Sequence, residues 1–477
     1  MGQEIEAVRF TPENFVEYAE RLRKETLLLA EWFASDMFSH RDRMGGYELE
    51  AWLVDGNARP APLNEVFLKN LDNPMVVPEL ARFNVELNDH PQHLWGSAFS
   101  RFEASLGATW KQCNKYAAEL HTHLVMIGIL PTLQEGELTQ ANMSDLKRYR
   151  ALNEQVLRLR EGRPLELDIS GREHLKVSHS SVMMEAATTS FQLHIKVHPC
   201  KALRAYNASM IASAPMVAVT ANSPYLFGHE LWDETRIPLF EQSVAVGGFA
   251  GASHGPLRRV TFGSGYVRDS ILECFVENEQ HYPVLLPMRF HDGLEQMSHV
   301  RLHNGTIWRW NRPLIGFDYD GIPHLRIEHR VVPGGPTILD MIANAAFFYG
   351  LMEALMGAET PPEQQLDFSV ARDNFYTAAR HGLEAHITWL DGTRGTVRHL
   401  LQTRLLPMAR LGLERLEIDV ADIDRYLGII EARVQTGQTG SVWQRAYAQQ
   451  HGGDLVEMTQ VYRHNQDSGT PVHQWAL

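Results

Sequence analysis

Acidic residues at every second position of a strand-like segment are the feature of this sequence best suited to chemistry. Glu48 and Glu50 lie within residues 47–54, where polar and apolar side chains alternate. Because side chains alternate between the two faces of a strand, both carboxylates are expected on one face and the apolar residues on the other. Neighbouring carboxylates repel each other and need water or a cation. The pair therefore indicates either a solvated edge of an antiparallel sheet or a magnesium site with oxygen ligands.

Two further segments carry polar groups that could join such a site. Glu86 is an acid within the short apolar stretch of residues 84–88, although an isolated glutamate is most often a surface residue. His194 shares one face of a predicted strand with Gln192 and Lys196. A histidine on a strand commonly has a structural, hydrogen-bonded role. Polar neighbours on the same face favour a polar cavity instead.

A third strand-like segment carries Arg326, Glu328 and Arg330 at the same spacing of two. A ladder of cross-strand ion pairs would explain this pattern without any function. The alternative is phosphoryl transfer, in which a carboxylate holds the metal that bridges phosphate oxygens and an arginine neutralises the developing charge. Arg236 and Arg312, considered alone, are most simply structural or surface arginines.

Hydrophobic periodicity predicts the elements that must position these residues. The predicted helices cover residues 11–39, 97–127, 201–220 and 337–357, and the predicted strands cover residues 47–54, 84–88, 189–197, 301–310 and 324–332. Strands separated by long helices, without a regular alternation of strand and helix, indicate the α+β class. Consecutive prolines at 361 and 362 mark a boundary. We therefore predict a domain of residues 1–360 and a mainly helical C-terminal region of residues 361–477.

The composition narrows the classes of function. With 477 residues and a formal net charge of -14, the chain lacks the basic surface typical of general nucleic-acid-binding proteins. Its three cysteines are far apart, which disfavours disulfides and a zinc site and fits a reducing compartment. Charged residues near the start exclude a signal-peptide core, and the longest apolar run, residues 210–221, is shorter than the ~18 residues of a membrane span. We expect a cytoplasmic protein without a membrane or nucleic-acid partner.

Familiar nucleotide-binding and hydrolase signatures are missing from the sequence. It contains no GxxxxGK[ST], GxGxxG, HExxH or GxSxG motif. The glycine-rich stretch of residues 247–255 lacks the lysine of a phosphate loop. We expect a mobile loop there, with a lid over a site as the alternative.

Taken in order, these segments resemble the glutamate–cysteine ligase family, in particular its plant and proteobacterial branch and the bacterial carboxylate–amine ligase relatives. The segments that carry the resemblance are Gly46-Tyr-Glu-Leu-Glu50, Phe83-Asn-Val-Glu-Leu-Asn88, Ser190-Phe-Gln-Leu-His-Ile195, Thr220-Ala-Asn-Ser-Pro224 through to Arg236, Gly305-Thr-Ile-Trp308 with Arg312, and Leu325-Arg-Ile-Glu-His-Arg330 followed by Gly334-Gly-Pro336. Their order and spacing carry more weight than any one motif.

The resemblance implies a fold similar to the catalytic domain of glutamine synthetase. In that fold an antiparallel sheet curls into an open funnel with helices packed outside. The resemblance further implies that the acids of distant strands converge on the concave face, where Glu48, Glu50, Glu86 and Glu328 would be the magnesium ligands.

The resemblance also implies roles for the basic residues. His194 would lie near the nucleotide or the metal, and Arg236, Arg312 and Arg330 would contact phosphate and the substrate carboxylate. Arg330 would stabilise the transferring phosphoryl group, which makes it, with the neighbouring Glu328, the expected catalytic pair.

The implied activity is the ATP- and Mg²⁺-dependent joining of the side-chain carboxylate of glutamate to an amine, with cysteine as the expected amine. Glutamate would attack the terminal phosphate of ATP, and the amine would convert the resulting γ-glutamyl phosphate into an amide. Glutathione biosynthesis is one pathway that would use this reaction. Two alternatives stay open: a ligase for another amine, and a non-catalytic homologue that senses nucleotide or glutamate. The partners would be small molecules, and a homo-oligomer is compatible with the sequence.

Overall fold

The strands of the chain are short except at the centre of one large sheet. The structure is a computed structural model, and it describes Ile5 and residues 8–41, 43–246 and 258–477. The strands are β1 (Met44–Val54), β2 (Val76–Pro78), β3 (Asn84–Asn88), β4 (Gln92–His93), β5 (His123–Val125), β6 (Leu165–Ser170), β7 (His174–His179), β8 (Phe191–Val197), β9 (Tyr225–Leu226), β10 (His229–Glu230), β11 (Val260–Thr261), β12 (Trp308–Arg309), β13 (Asn311–Phe317), β14 (Pro323–His329), β15 (His386–Thr388) and β16 (Arg394–Thr396). The glycine-rich stretch of residues 247–255 lies outside the described residues.

The main sheet has eight strands in the order β13-β14-β8-β1-β3-β2, with β4 and β5 also paired to β1. Its pairs are antiparallel. The sheet is strongly curled, and this confirms the predicted α+β fold with a funnel-like concave face and helices outside. Along β1, Leu49, Ala51 and Leu53 are fully buried on the outer face, whereas Glu48 and Glu50 lie on the concave face.

Helices cover the outer face of the sheet and form the rest of the chain. They are α1 (Pro12–Ala34), α2 (Asn64–Leu71), α3 (Ala98–Glu119), α4 (Lys147–Leu159), α5 (Ala202–Thr220), α6 (Arg236–Ser243), α7 (Leu272–His281), α8 (Ser298–Gly305), α9 (Ile338–Met356), α10 (Pro362–Gln365), α11 (Phe368–His381), α12 (Val397–Leu400), α13 (Leu406–Arg415), α14 (Val420–Thr436), α15 (Gly440–Gln450) and α16 (Leu455–Ser468). Short 3-10 segments lie between several of them.

The apolar helices α5 and α9 pack directly behind the strands that carry the polar residues. Tyr349 of α9 donates a hydrogen bond to the carbonyl groups of Gly46 and His194, at 3.0 and 2.9 Å, and so joins α9 to β1 and β8. Within the described chain, α9 is the one helix long and apolar enough to cross a membrane, but 83% of its most apolar stretch is buried inside the protein. Helix α9 is therefore a helix of the protein core.

The predicted helix over residues 97–127 is too long. Helix α3 ends at Glu119, and the strand β5 follows and pairs with β1. His121 has a left-handed backbone (φ 53°), and the hydroxyl of Thr122 donates to the Ala117 carbonyl at 3.0 Å, so the chain leaves the helix there.

The predicted strand over residues 301–310 is wrong for its first half, where helix α8 forms instead. The Glu25 carboxylate of α1 accepts hydrogen bonds from the backbone N–H groups of His299 and Val300, at 2.8 and 2.9 Å. A carboxylate at this end of a helix satisfies free N–H groups and interacts favourably with the helix dipole. This partner is distant in sequence, so the local pattern gave no sign of it.

Of the C-terminal helices, α11, α13 and α14 pack against α5 or α9. Between α9 and α13 the backbones meet at Gly350 and Gly412, where a side chain would collide with the opposite helix. Arg433 of α14 forms a fully buried ion pair with Asp340 of α9, with Nη2 and Oδ1 2.7 Å apart. The division of the chain at residue 360 stays a prediction.

Candidate functional site

The register of the sheet brings the polar residues of five strands together. Glu50 of β1 lies opposite Glu86 of β3, and Glu328 of β14 lies opposite His194 of β8. On the next strand, β13, Arg312 lies opposite Glu328. Because opposite residues of antiparallel strands project to the same face, these side chains share the concave face.

A cavity of about 270 Å³ opens on this face. Its charged lining consists of Glu48, Glu50, Glu79, Glu86, Arg148, Glu185, Arg301, Arg312, Arg326, Glu328 and Arg330. Its apolar lining includes Leu80, Leu152, Val182, Val244, Phe275, Leu286, Leu302 and Trp308. Such a mixture of a charged floor and apolar walls is typical of a small-molecule site.

One group of candidate metal ligands consists of Glu48, His194 and Glu328, whose ligand atoms all lie within 4.8 Å of one another. His194 Nε2 is 3.4 Å from Glu48 Oε1 and 4.0 Å from Glu328 Oε1. The imidazole is buried, yet neither ring nitrogen has a hydrogen-bond partner in the described part of the chain. Burial raises the pKa of Glu48, but His194 together with further positive charges, among them Arg326, outweighs burial, and the pKa lies well below its ordinary value. We call this group the histidine triad.

A second group consists of Glu50, Glu79 and Glu86, again with ligand atoms within 4.8 Å of one another. Burial raises the pKa of Glu50 to about 7 and that of Glu79 to about 7, and neighbouring carboxylates add to both shifts. Burial, with Glu48 and Glu79, raises the pKa of Glu86 well above its ordinary value. None of the three forms an ion pair with a lysine or arginine of the described residues. We call this group the glutamate triad.

Both triads fit divalent cations. Carboxylate oxygens are the ligands that Mg²⁺ and Mn²⁺ prefer, and a neutral imidazole can add a nitrogen. A bound cation would give one ring nitrogen of His194 a partner and would relieve the mutual repulsion within the glutamate triad. Glu48, Glu50, Glu86 and Glu328, the acids singled out in the sequence, are thus brought together.

Two arginines hold Glu328 in place. Arg312 forms two hydrogen bonds with its carboxylate, from Nε at 2.7 Å and from Nη2 at 2.9 Å, while Arg330 Nη1 lies 3.4 Å from Oε2. Burial opposes ionisation, but Arg312 and Arg330 outweigh it and lower the pKa of Glu328 to about 2. Arg330 also donates to Gln192, whose amide donates to Glu50 at 2.8 Å. The two triads are therefore linked by one hydrogen-bonded chain.

Arg236, which was expected to contact phosphate or the substrate carboxylate, is not among the residues that line the cavity. Its guanidinium is fully buried and pairs with Glu234, with Nε and Oε1 3.2 Å apart. It also donates to the Ser190 hydroxyl and to the Arg330 and Val331 carbonyl groups. Four of its five N–H donors are thus engaged with the protein.

Several cavity residues were not identified as site residues from the sequence, among them Glu79, Glu185, Arg148 and Arg301. Glu79 follows the three-residue strand β2, in which Val77 lies opposite Glu86. Because side chains two residues apart on a strand share a face, recognition of β2 would have placed Glu79 on the face of Val77 and Glu86. The other three lie on helical or 3-10 segments, where the period of two gives no signal.

The sequence matches the profile of glutamate–cysteine ligase family 2 over residues 44–464. No curated protein sequence matches the chain significantly. Among solved structures, the chain is similar to glutamate–cysteine ligase from Francisella tularensis, determined in complex with AMP, with a TM-score of 0.53, 11% identity and 90% coverage of each chain. It is also similar to a bifunctional glutathione synthetase from Pasteurella multocida, with a TM-score of 0.57 and 11% identity, over 93% of this chain and 55% of that one.

The family match supports the assignment of the protein to the carboxylate–amine ligases. The chain belongs to glutamate–cysteine ligase family 2.

Proposed function

We propose that the protein is an ATP-dependent ligase that joins the side-chain carboxylate of glutamate to an amine, with cysteine as the expected amine. The observation that carries the proposal is that two acidic triads and several arginines lie together at a single cavity. Anions such as ATP and glutamate can enter a cavity lined by six carboxylates only with cations beside them. The AMP bound to the Francisella tularensis protein supports a nucleotide as one of the ligands.

ATP is required because a free carboxylate is a poor acyl donor. In the proposed first step a carboxylate oxygen of glutamate forms a bond to the terminal phosphorus of ATP, and the bond to the bridging oxygen breaks to release ADP. In the second step the amine nitrogen forms a bond to the acyl carbon of γ-glutamyl phosphate, and phosphate leaves with the electron pair of the broken C–O bond. Before this attack the ammonium gives up one proton to the medium, because only the free amine has a lone pair, and after it the nitrogen loses a second proton to give the amide.

We assign the charged side chains to these steps by their position. Glu48, His194 and Glu328 would hold one Mg²⁺, and Glu50, Glu79 and Glu86 a second. Mg²⁺, when bound, would supply positive charge that offsets the repulsion between these carboxylates and the phosphates.

Arg330 lies between the two triads, so its guanidinium can contact the phosphoryl group as negative charge moves onto it. Arg312 fixes the orientation of Glu328 through its two hydrogen bonds. The apolar walls of the cavity limit access of water to an acyl phosphate, which water would otherwise hydrolyse.

We assign the reaction to the cytoplasm. Cys113, Cys200 and Cys274 are all unpaired, as expected in a reducing compartment where cysteine itself stays a free thiol.

The test is release of ADP from ATP and Mg²⁺ with glutamate fixed, across hydroxylamine, L-cysteine, L-alanine, ethanolamine and ammonium. The proposal predicts glutamate-dependent ADP release that an amine stimulates, together with formation of a γ-glutamyl amide. Stimulation by an amine other than cysteine would change the amine and keep the reaction. Nucleotide binding without any turnover would contradict the proposal and support the sensing homologue.

A further inference from the structure

Glu185 is the one cavity carboxylate that belongs to neither triad. Each of the other five carboxylates has a hydrogen bond or an ion pair with the protein. The partners are His194, Ser190, Gln192, Asn88, Leu80, Arg312 and Arg330. No hydrogen bond or ion pair to the Glu185 side chain is made by the residues that the structure describes, and the side chain is partly exposed to the cavity. Its carboxylate is therefore available to a ligand.

The backbone that carries Glu185 is held firmly. It belongs to the 3-10 segment Val182–Ala187, whose first N–H donates to Asn153 Oδ1 of α4 at 3.0 Å. The Glu185 carbonyl accepts from the backbone N–H and the hydroxyl of Thr188, at 3.0 and 2.8 Å. A group on a rigid segment is positioned for recognition more precisely than one on a free loop.

The surroundings of Glu185 place it beside the glutamate triad. Burial and the nearby Glu50 raise the pKa of Glu185 to about 8, whereas Arg330 opposes this shift, so a cationic ligand beside the group would favour its charged form. The segment runs on to Ser190, whose N–H donates to Glu50 at 2.7 Å. Val182 of the same segment and Leu152 of α4 form part of the apolar wall. A ligand held by Glu185 would thus have an anionic contact at one end, an apolar wall along its side and the glutamate triad next to it.

We propose that Glu185 binds the ammonium group of the amine substrate, an inference that rests on the proposed ligase function. An aliphatic amine enters from neutral solution as a cation, and both other substrates are anions. It therefore needs a carboxyl group that is engaged neither in a metal triad nor in an ion pair with an arginine, and among the described cavity residues Glu185 is such a group; the ammonium itself favours the ionised form of the carboxyl. The proposed substrate class is accordingly a cationic primary amine, with Leu152 and Val182 beside its carbon atoms.

The experiment compares cationic amines with hydroxylamine, which is largely uncharged at neutral pH and needs no anionic contact. The variant Glu185→Gln keeps the size of the side chain and removes its charge. At saturating ATP and glutamate we expect the KM for L-cysteine, L-alanine, ethanolamine or ammonium, whichever the wild type accepts, to rise about 10- to 100-fold. The KM for hydroxylamine and for glutamate should stay within about threefold.

Two controls separate charge from structure. Glu185→Asp retains the charge and should recover part of the affinity for cationic amines. Glu154→Gln removes an exposed carboxylate from the neighbouring helix α4 and should leave every KM unchanged.

Three outcomes would overturn the proposal: an unchanged KM for the cationic amines, an equal rise for hydroxylamine, or a wild type that accepts hydroxylamine and no cationic amine. Failure of the ligase function itself is distinguishable, because the wild type would then form no glutamate-dependent hydroxamate.

Discussion

The residues of the glutamate triad oppose the folded state when they are ionised without a cation. Burial and mutual repulsion raise the pKa of Glu50 and of Glu79 to about 7. A raised pKa of an acid means that its charged form is less stable in the folded protein than in the unfolded chain. These side chains are placed for binding at the expense of stability, which is typical of functional sites.

Removal of one triad charge should therefore stabilise the metal-free protein. For Glu79→Gln at about pH 8 with a chelator present, we expect the free energy of unfolding to rise by on the order of 1–2 kcal/mol. The stabilisation that Mg²⁺ adds should fall at the same time, because one ligand charge is lost. Thermal unfolding with and without Mg²⁺ measures both effects. The exposed Glu154→Gln serves as control, and a less stable metal-free Glu79→Gln would contradict this account of the triad.

The same pKa shifts fix the sign of a pH dependence. Between the ordinary glutamate pKa of 4.5 and the folded values of about 7, the folded protein binds more protons than the unfolded chain. Stability of the metal-free protein should consequently fall as pH rises through this window. Mg²⁺ displaces those protons, so the rise in Tm caused by Mg²⁺ should be larger at about pH 8 than at about pH 5. Equal Tm shifts at both pH values would argue against Mg²⁺ binding at these carboxylates.

The alternation of side chains along the strands accounts for most of what the sequence could predict about the site. Alternation alone placed Glu48 with Glu50 and Arg326 with Glu328 on common faces, and the structure has them so. Alternation cannot show which strands become neighbours, so the meeting of β1, β3, β8 and β14 was implied by family resemblance. Glu79 was not predicted as a site residue because β2 has only three residues and ends in proline.

Arg236 shows a second reason why the local sequence cannot predict the role of a residue. A buried arginine and a ligand-binding arginine look alike in sequence, and only the tertiary contacts to Glu234, Ser190 and the carbonyl groups after β14 distinguish them. Its role in the structure is to fix the end of β14 and the residue that donates to Glu50.

The variant Arg236→Gln should accordingly lose stability more than ligand affinity. Glu234 would remain buried without its partner, which costs about 3–5 kcal/mol. We expect this loss in urea unfolding, while the KM values of the folded fraction stay near those of the wild type. An unchanged stability with a large rise in the KM for ATP or glutamate would restore Arg236 as a ligand contact.

At the scale of the whole molecule, the C-terminal helices support the cavity from behind. Tyr462 of α16 donates to the Met126 carbonyl at 2.9 Å, and its oxygen also accepts from Asn222. Asn222 donates in turn to the Gly334 carbonyl at 2.8 Å. Met126 and Tyr462 are 336 residues apart, so no local sequence signal could reveal this contact.

Removal of residues 454–477 tests this support. The truncation takes away α16 with Tyr462 and Gln466, and it leaves the Met126 backbone groups buried without partners. We expect a loss of at least about 3 kcal/mol in unfolding free energy, from several lost hydrogen bonds and lost apolar burial, and a loss of ligase activity with it. A well-folded truncated protein with full activity would instead favour a separate, partner-binding role for this region.

The central claim is that the concave face holds two divalent cations between strands that are distant in sequence. Crystals grown with Mn²⁺, glutamate and a non-hydrolysable ATP analogue, followed by an anomalous difference map, test it most directly. One peak is expected among Glu48, His194 and Glu328, and another among Glu50, Glu79 and Glu86. The phosphates of the analogue should lie beside both peaks. A map without peaks at these positions, with the nucleotide bound elsewhere, would contradict it.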